Sequence, residues 1–332
     1  MSKKLKQIKE RFISTMDEVA DTLNVCPTDL KRDEYIRIAV DTDIDGRLNK
    51  EELNLLGGFK EAKRLFITPR SGEIEQPRIL IFDIETAPIL GYVWTLWNNN
   101  VGLNQVENDW YILSWSAKWL GEDEIMYQDQ RNAKNIEDDK KLLKGIWDLL
   151  DEADIVVTQN GKAFDVKKLN ARFIINGFEP PSSYQHIDTR QIAKKRFGFT
   201  SNRLEYMTDK LCDLKKSKHA KFSGFNLWKQ CLAGNKEAWN EMEEYNRMDV
   251  LSLEELYTKL IPWDNPVNFN VYHNSLENVC TCGSTEFKRA GYHMTNSGKY
   301  QRYKCKSCGK EYRDNENLLS KNKKKSLFKS TR

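Results

Sequence analysis

Residues 78–86 read RILIFDIET, and the order of apolar and acidic residues inside that stretch decides the fold. Ile79, Leu80, Ile81 and Phe82 form a short apolar run of the kind that fits a strand buried on both faces. Asp83 and Glu85 follow with one residue between them. Side chains two apart on a strand share a face, so both acids project together from the end of a core strand. Two like charges that both lose water persist only with something positive between them. A divalent metal ion is the expected partner.

The 332 residues suffice, at roughly 150 per domain, for one main domain with two satellites. Hydrophobic residues at 39% and aromatics at 11% allow a packed core, and 31% charged residues call for an extensive solvated surface. No apolar run approaches the roughly 20 residues that cross a bilayer, and the basic N-terminus MSKKLKQIKER leads into no apolar segment. A cytoplasmic protein without membrane contact is expected. The net charge of +4 is uneven: from Val279 onward there are 14 Lys or Arg against 4 Asp or Glu, which leaves +10 there and −6 elsewhere. A basic end on an acidic protein suits an anionic polymer, although a solubilising Lys tail reads the same.

The first segment, 1–66, has the pattern of a helical domain. Leu5, Ile8, Phe12, Met16, Val19 and Leu23 form one apolar stripe, Pro27 ends that helix, and two further helices fit residues 30–40 and 49 onward. Between the last two, Asp41, Asp43, Asp45, Gly46 and Glu52 fit an EF-hand loop for Ca²⁺. An ordinary acidic helix join and a helix-turn-helix unit compete with that reading. ITPRSGEIEQP, without apolar periodicity, then reads as a linker.

After the RILIFDIET strand, GYVWTLW and YILSWSAKWL predict further strands of a meander. Leu142, Leu143, Ile146, Leu149 and Leu150 mark a helix, and the strand 154–158 follows, so a strand–helix–strand crossover is expected. Asn160 and Gly161 suit a tight turn, after which Asp165 falls in the first turn of a helix with Leu169 and Phe173 on its buried face. Taken alone, Asp165 reads as an acid favoured by the helix dipole. Asp188, three residues before Gln191, has capping-box spacing. His186 and His219 have no partner at ligand spacing. Asp249 lies on a long helix with Leu253, Leu256, Tyr257 and Leu260, and Tyr245, four residues earlier, shares its face.

Asp83 and Glu85 in FDIET, Asp165 in NGKAFD, and Tyr245 with Asp249 in YNRMD resemble the three exonuclease motifs of the DEDD, or DnaQ-like, superfamily. The tyrosine variant is implied, because a histidine-type member has His five residues before the last Asp, where this sequence has Glu244. In ILSWSAKWL and NRLEYM the chain resembles ribonuclease H-like exonucleases close to family-B polymerase proofreading domains. The resemblance spans 78–263 and implies a ribonuclease H-like α/β core, a mixed sheet flanked by helices. It also implies 3′-to-5′ hydrolysis of DNA or RNA from a free 3′ end.

Phosphodiester hydrolysis needs an activated water, a stabilised phosphorane-like transition state and a leaving oxygen that departs as an anion. Two Mg²⁺ or Mn²⁺ ions about 4 Å apart supply all three and prefer carboxylate oxygen. Asp83 is then expected to bridge the ions, with Glu85 and Asp249 on one and Asp165 either supporting these ligands from outside or adding a metal contact. Tyr245 would orient the attacking water, since a phenol with pKa near 10 is a poor base at neutral pH.

DNPVNFNVYHNSLEN, after Pro262, reads as a second linker. Cys280 and Cys282 then pair with Cys305 and Cys308 as the ligands of one structural Zn²⁺ in a ribbon over 278–314. The CxC pair is one residue short of the usual knuckle, so His273 or His293 could replace a cysteine, and disulfides are the other reading. Lys288, Arg289, Lys299, Arg302, Lys304 and Lys306 alternate with tyrosines and suit a single strand, ahead of a basic tail over 315–332. The whole predicts a metal-dependent 3′-to-5′ exonuclease, with DNA favoured, of a bacterial cell or phage-infected host. An endonuclease or resolvase on the same core and a non-catalytic nucleic-acid-binding protein are the competing readings.

Overall fold

The structure is a computed structural model that describes residues 77–214, 221–264, 266–272 and 276–328, all within one compact unit, Glu75–Arg332. The expected N-terminal helices, the Asp41, Asp43, Asp45 and Glu52 loop, the first linker, His219 and His273 lie outside the described residues. The core is a five-stranded sheet in the order β5-β4-β1-β6-β7. Its strands are β1 (Ile79–Thr86), β4 (Ile112–Trp119), β5 (Ile125–Asp129), β6 (Ile155–Thr158) and β7 (Gln185–Asp188). β4 runs antiparallel to both β1 and β5, while β6 and β7 continue parallel to β1. This mixed α/β sheet flanked by helices is the expected class.

Alternation along β1 separates two cores. Leu80, Phe82 and Ile84 face α1 (Lys140–Glu152) and α2 (Asp165–Ile175), whereas Ile79 and Ile81 face the 25-residue helix α6 (Lys236–Leu260). Asp83 and Glu85 therefore continue the face covered by α6. The same period puts Trp115, Ala117 and Trp119 of β4 with α1, and leaves Ser114, Ser116 and Lys118 opposite Glu85, Asp83 and Ile81. Polar residues of β4 are thus buried because their face receives polar residues from α6: Lys118 Nζ meets Glu254 at 2.6 Å, and Ser114 Oγ donates to Asn246 Oδ1 at 3.2 Å.

α1 is the expected crossover helix. It lies close on the sheet at Gly145, where a Cβ would come 2.8 Å from the Trp115 ring. Buried Asp139 ties three elements at its start: it accepts from Ile112 N at 2.9 Å and takes both Arg172 Nε and an Arg172 NH₂ group at 2.8 and 2.7 Å. α3 (Thr189–Arg196), α4 (Leu204–Leu211) and α5 (Asn226–Leu232) complete the layers around α6.

Two expectations are corrected. GYVWTLW is no core strand: only β2 (Leu90–Gly91) pairs, with β3 (Val106–Asn108), and the apolar residues beyond Gly91 are exposed. Its β-propensity was legible, but no sheet edge or core face among the described residues receives it. The segment after Pro262 does not behave as a linker either. Val267 and Phe269 are buried in the core with Leu260 and Ile261, and the Asn270 side chain brackets Val279 by accepting from its N–H and donating to its carbonyl.

Beyond it, β8 (Phe287–Thr295), β9 (Gly298–Cys305) and β10 (Glu311–Arg313) form a three-stranded antiparallel sheet. The start of the basic tail belongs to it, since Leu318 N–H donates to Lys299 O at 2.8 Å before α7 (Lys321–Lys325). Replacing Arg172 by Ala should strand the fully buried Asp139 charge and cost roughly 3–5 kcal/mol in urea unfolding, and a loss below about 1 kcal/mol would assign that pair no structural role.

Candidate metal and nuclease site

The three acids that share the α6-covered face converge. Carboxylate oxygens of Asp83, Glu85 and Asp249 all lie within 4.8 Å of one another, Asp249 buried and the two strand acids half-buried. β1 delivers Asp83 and Glu85 from a register fixed against Ser116 and Ser114. α6 delivers Asp249 because its buried stripe, Ala238, Trp239, Met242, Tyr245, Asn246, Asp249, Val250 and Leu253, passes through polar residues where it crosses the strand ends. Three hard oxygen donors this close fit Mg²⁺ or Mn²⁺.

Asn246 is the site residue that the sequence reading did not single out. Fully buried, it donates from Nδ2 to Asp83 Oδ2 at 2.8 Å while accepting from Ser114 Oγ. Its signal was available: an amide on the apolar stripe of a buried helix has to face a polar group. Tyr245 is also on this stripe, with Trp228 edge-on at 6.1 Å. Burial first, then the charges of Asp249, Glu85 and Asp83 and a hydrogen bond with Asp249, push its phenol far above the ordinary value. It is a neutral O–H at any physiological pH.

Asp165 sits beside the cluster and outside that group of three. Its Oδ1 accepts Ile84 N–H at 3.3 Å, from the residue between Asp83 and Glu85. The turn that presents it is clamped by Asp188, whose carboxylate accepts Asn160 N–H at 3.0 Å and Lys162 N–H at 3.2 Å. The same carboxylate caps α3 through Arg190 and Gln191 N–H, as expected from its spacing. Asn160 holds φ at 69°, and Gly161 has no room for a Cβ, which would fall 2.2 Å from Thr158 Oγ1. His186 bonds Thr158 Oγ1 at 2.8 Å through Nε2, and burial pushes its pKa down to about 4, so it is a neutral structural histidine.

Burial pushes the Asp165 carboxyl up to about 7, with the nearby charge of Asp188 adding to the rise against hydrogen bonds from the Asp165 and Ile84 backbone. A positive ion nearby would reverse that shift.

The second constellation is the cysteine set. Sγ atoms of Cys280, Cys282, Cys305 and Cys308 lie within 4.8 Å of one another, and the described cysteines form no disulfide. Cys280 and Cys308 are 3.4 Å apart and Cys282 and Cys305 3.7 Å, far beyond the ~2.05 Å of a disulfide. The CxC pair thus closes the group without a histidine, and exposed His293 stays outside it. Burial raises the Cys305 thiol, but N–H groups of Cys308 and Ser307 and the other sulfurs outweigh it and bring it down to about 6. Four converging sulfurs, with the Cys305 thiol held below its ordinary value, are compatible with a zinc ribbon. Tyr312 donates to Cys280 Sγ at 3.2 Å, a contact no spacing rule foretold.

The expected nucleic-acid residues divide. Lys288 and Arg289 are exposed, Lys299 lies over the Tyr292 ring at 3.9 Å, and Lys306 stands 3.7 Å from Glu286. Arg302 is engaged by Ala290 O and Glu311, and Lys304 is half-buried opposite Glu311.

A family model described as the RNase_H superfamily matches residues 80–261, more than half of the chain. The chain belongs to the RNase_H superfamily. Membership supports a nuclease acting on nucleic acid, and ribonuclease H-like nucleases use divalent metals. No curated protein matches the chain. Among solved structures it is similar to the family B DNA polymerase from the hyperthermophilic archaeon Pyrobaculum calidifontis, at 17% identity and a TM-score of 0.45. That match covers 57% of this chain, which spans 25% of the polymerase. No described helix is long and apolar enough to cross a membrane.

The raised Asp165 carboxyl gives a pH prediction with a definite sign. Between the unfolded value near 3.9 and about 7 the metal-free native state holds a proton that the unfolded chain has lost, so this group's contribution to stability falls as pH rises. His186 acts oppositely, because its depressed pKa makes stability fall as pH drops from about 6.5 toward 4. The comparison is therefore with Asp165→Asn: unmodified protein kept free of Mg²⁺ and Mn²⁺ should lose up to a few kcal/mol relative to the variant from about pH 4.5 to 7.5. Parallel pH profiles for the two proteins would contradict it.

Proposed function

We propose that the chain is a tyrosine-type DEDD 3′-to-5′ exonuclease acting on single-stranded nucleic acid, DNA ahead of RNA. The observation that carries this reading is the convergence of Asp83, Glu85 and Asp249 within 4.8 Å. Asp83, Glu85 and Asp249, with Asp165 alongside, would hold two Mg²⁺ or Mn²⁺ ions, which when bound lower the pKa of water and stabilise the charge that develops on phosphate.

The chain's own groups prepare that chemistry. Asn246 fixes the orientation of Asp83 by donating to its Oδ2. Tyr245, kept protonated by burial and by the three neighbouring acids, orients the attacking water by hydrogen bonding and does not remove its proton. Asp165 braces the strand backbone between Asp83 and Glu85 and brings a further carboxylate once a cation is near. A YxxxD pair on a late helix, Tyr245 and Asp249, favours the exonuclease over a resolvase on the same core, and intact acids favour an enzyme over a binding protein.

Cys280, Cys282, Cys305 and Cys308 would hold one structural Zn²⁺, and the ribbon would present Lys288, Arg289 and the tyrosine-backed Lys299 to the phosphates of the incoming strand. The N-terminal segment 1–66 and its expected Ca²⁺ loop play no part in this reading.

End-labelled DNA and RNA strands, blocked at either end and incubated with Mg²⁺, test it. Stepwise shortening from a free 3′ end, abolished by Asp83→Ala and by a 3′ block, is expected, and internal cuts or equal degradation by both proteins would contradict it. In the same preparation Lys288→Ala with Arg289→Ala should lower the salt slope of single-strand binding by about 1.4, at roughly 0.7 per phosphate contact.

A further inference from the structure

Between β1 and β4 the chain leaves the sheet and returns, its foot closed by Ala87 N–H donating to Tyr111 O at 2.8 Å. Tyr92 and Gln105 clasp the neck: Tyr92 N–H donates to Gln105 O at 2.8 Å, and Gln105 Nε2 donates back to Tyr92 O at 2.9 Å. Beyond that clasp the side chains that would build a core face water. Trp94 is 96% exposed, Leu96 87% and Trp97 82%, with Tyr92 and Leu103 exposed beside them. The loop is held in shape by its own bonds, Thr95 Oγ1 to Trp97 O at 2.9 Å and to Asn99 Oδ1 at 3.1 Å, with Asn98 at φ 55°.

Two exposed tryptophans forgo a large burial gain, and an apolar patch of this kind on a soluble surface marks a binding site. Its chemistry identifies the occupant. No charged residue occurs from Thr86 to Val106, so nothing in the excursion draws phosphate, and the tryptophans with Asn98, Asn99 and Asn100 offer ring faces and amides, the partners of bases. The excursion also departs from Ala87, two residues after Glu85, and so is continuous with the carboxylate cluster. At its far foot Lys168, on the helix that begins with Asp165, sits 3.5 Å over the Trp110 ring.

We propose that the Trp94–Trp97 excursion is a base-stacking platform that holds the bases of a single strand whose terminal phosphodiester enters the Asp83, Glu85 and Asp249 cluster. It rests on the nuclease reading above.

The full chain carrying Asp83→Asn, which spares the strand, is titrated with labelled oligothymidylate and with an abasic strand of equal length. Adding Trp94→Ala and Trp97→Ala should weaken oligothymidylate binding roughly 10- to 100-fold, about the stacking of one or two bases, with little change on the abasic strand. Phe at both positions should restore most of the loss. Unchanged oligothymidylate binding would overturn the proposal and assign the patch to a protein partner, and so would an equal loss on both strands. A 4-thiothymidine strand crosslinked to the Asp83→Asn chain needs no change in the loop: adducts on Tyr92, Trp94 or Trp97 are expected, and adducts only elsewhere overturn it. Hydrolysis by the unmodified chain with Mg²⁺ is scored separately. Base-dependent binding without hydrolysis sinks the nuclease reading and keeps the platform, whereas hydrolysis with base-independent binding sinks the platform alone.

Discussion

One face of one strand imposes the central constraint. Ile79 and Ile81 bury against α6, and the same period of two then obliges Asp83 and Glu85 to face that helix. A helix that covered them with apolar side chains would leave two carboxylates partly dehydrated and mutually repelling. α6 instead meets them with Tyr245, Asn246 and Asp249, interrupting a stripe that is apolar before and after. Adding a third acid makes the electrostatics worse, and a bound cation would offset that repulsion.

The surrounding structure is spent on holding this unfavourable arrangement in place. Asn246 ties Asp83 to Ser114 across two strands and a helix, and Asp165 grips the backbone at Ile84. Asp188 fixes the turn that carries Asp165 by taking two of its N–H groups while capping α3. Such support is what a site needs when its ligand atoms must keep their spacing without their ion. The nearby Lys118–Glu254 pair shows the alternative on the same face, where the opposite charge comes from the chain itself.

Much of this was legible in the sequence because it follows from short-range periodicity. The β1 strand, α1, the Asp165 turn and α6 are each fixed by spacings of two or of three and four, and the acids fall on them at predictable phase. Asp188 as a cap and the four cysteines as one group were legible for the same reason. What escaped depends on tertiary partners. Asn246 acquires its role only when Ser114 and Asp83 are brought against it. GYVWTLW carries strand propensity but finds no edge among the described residues, and DNPVNFNVYHNSLEN looks like a linker until Val267 and Phe269 find the end of α6. Strand β5 was missed because IMYQD is short and its pairing with β4 is all that defines it.

The most direct test of the carboxylate cluster is metal binding itself. Mn²⁺ titrated into the full chain and followed by electron paramagnetic resonance should be taken up by the unmodified protein and lost with Asp83→Asn, with the folded state of both proteins unchanged by circular dichroism. Equal Mn²⁺ uptake by the two proteins would contradict the claim that Asp83, Glu85 and Asp249 converge to hold a divalent cation.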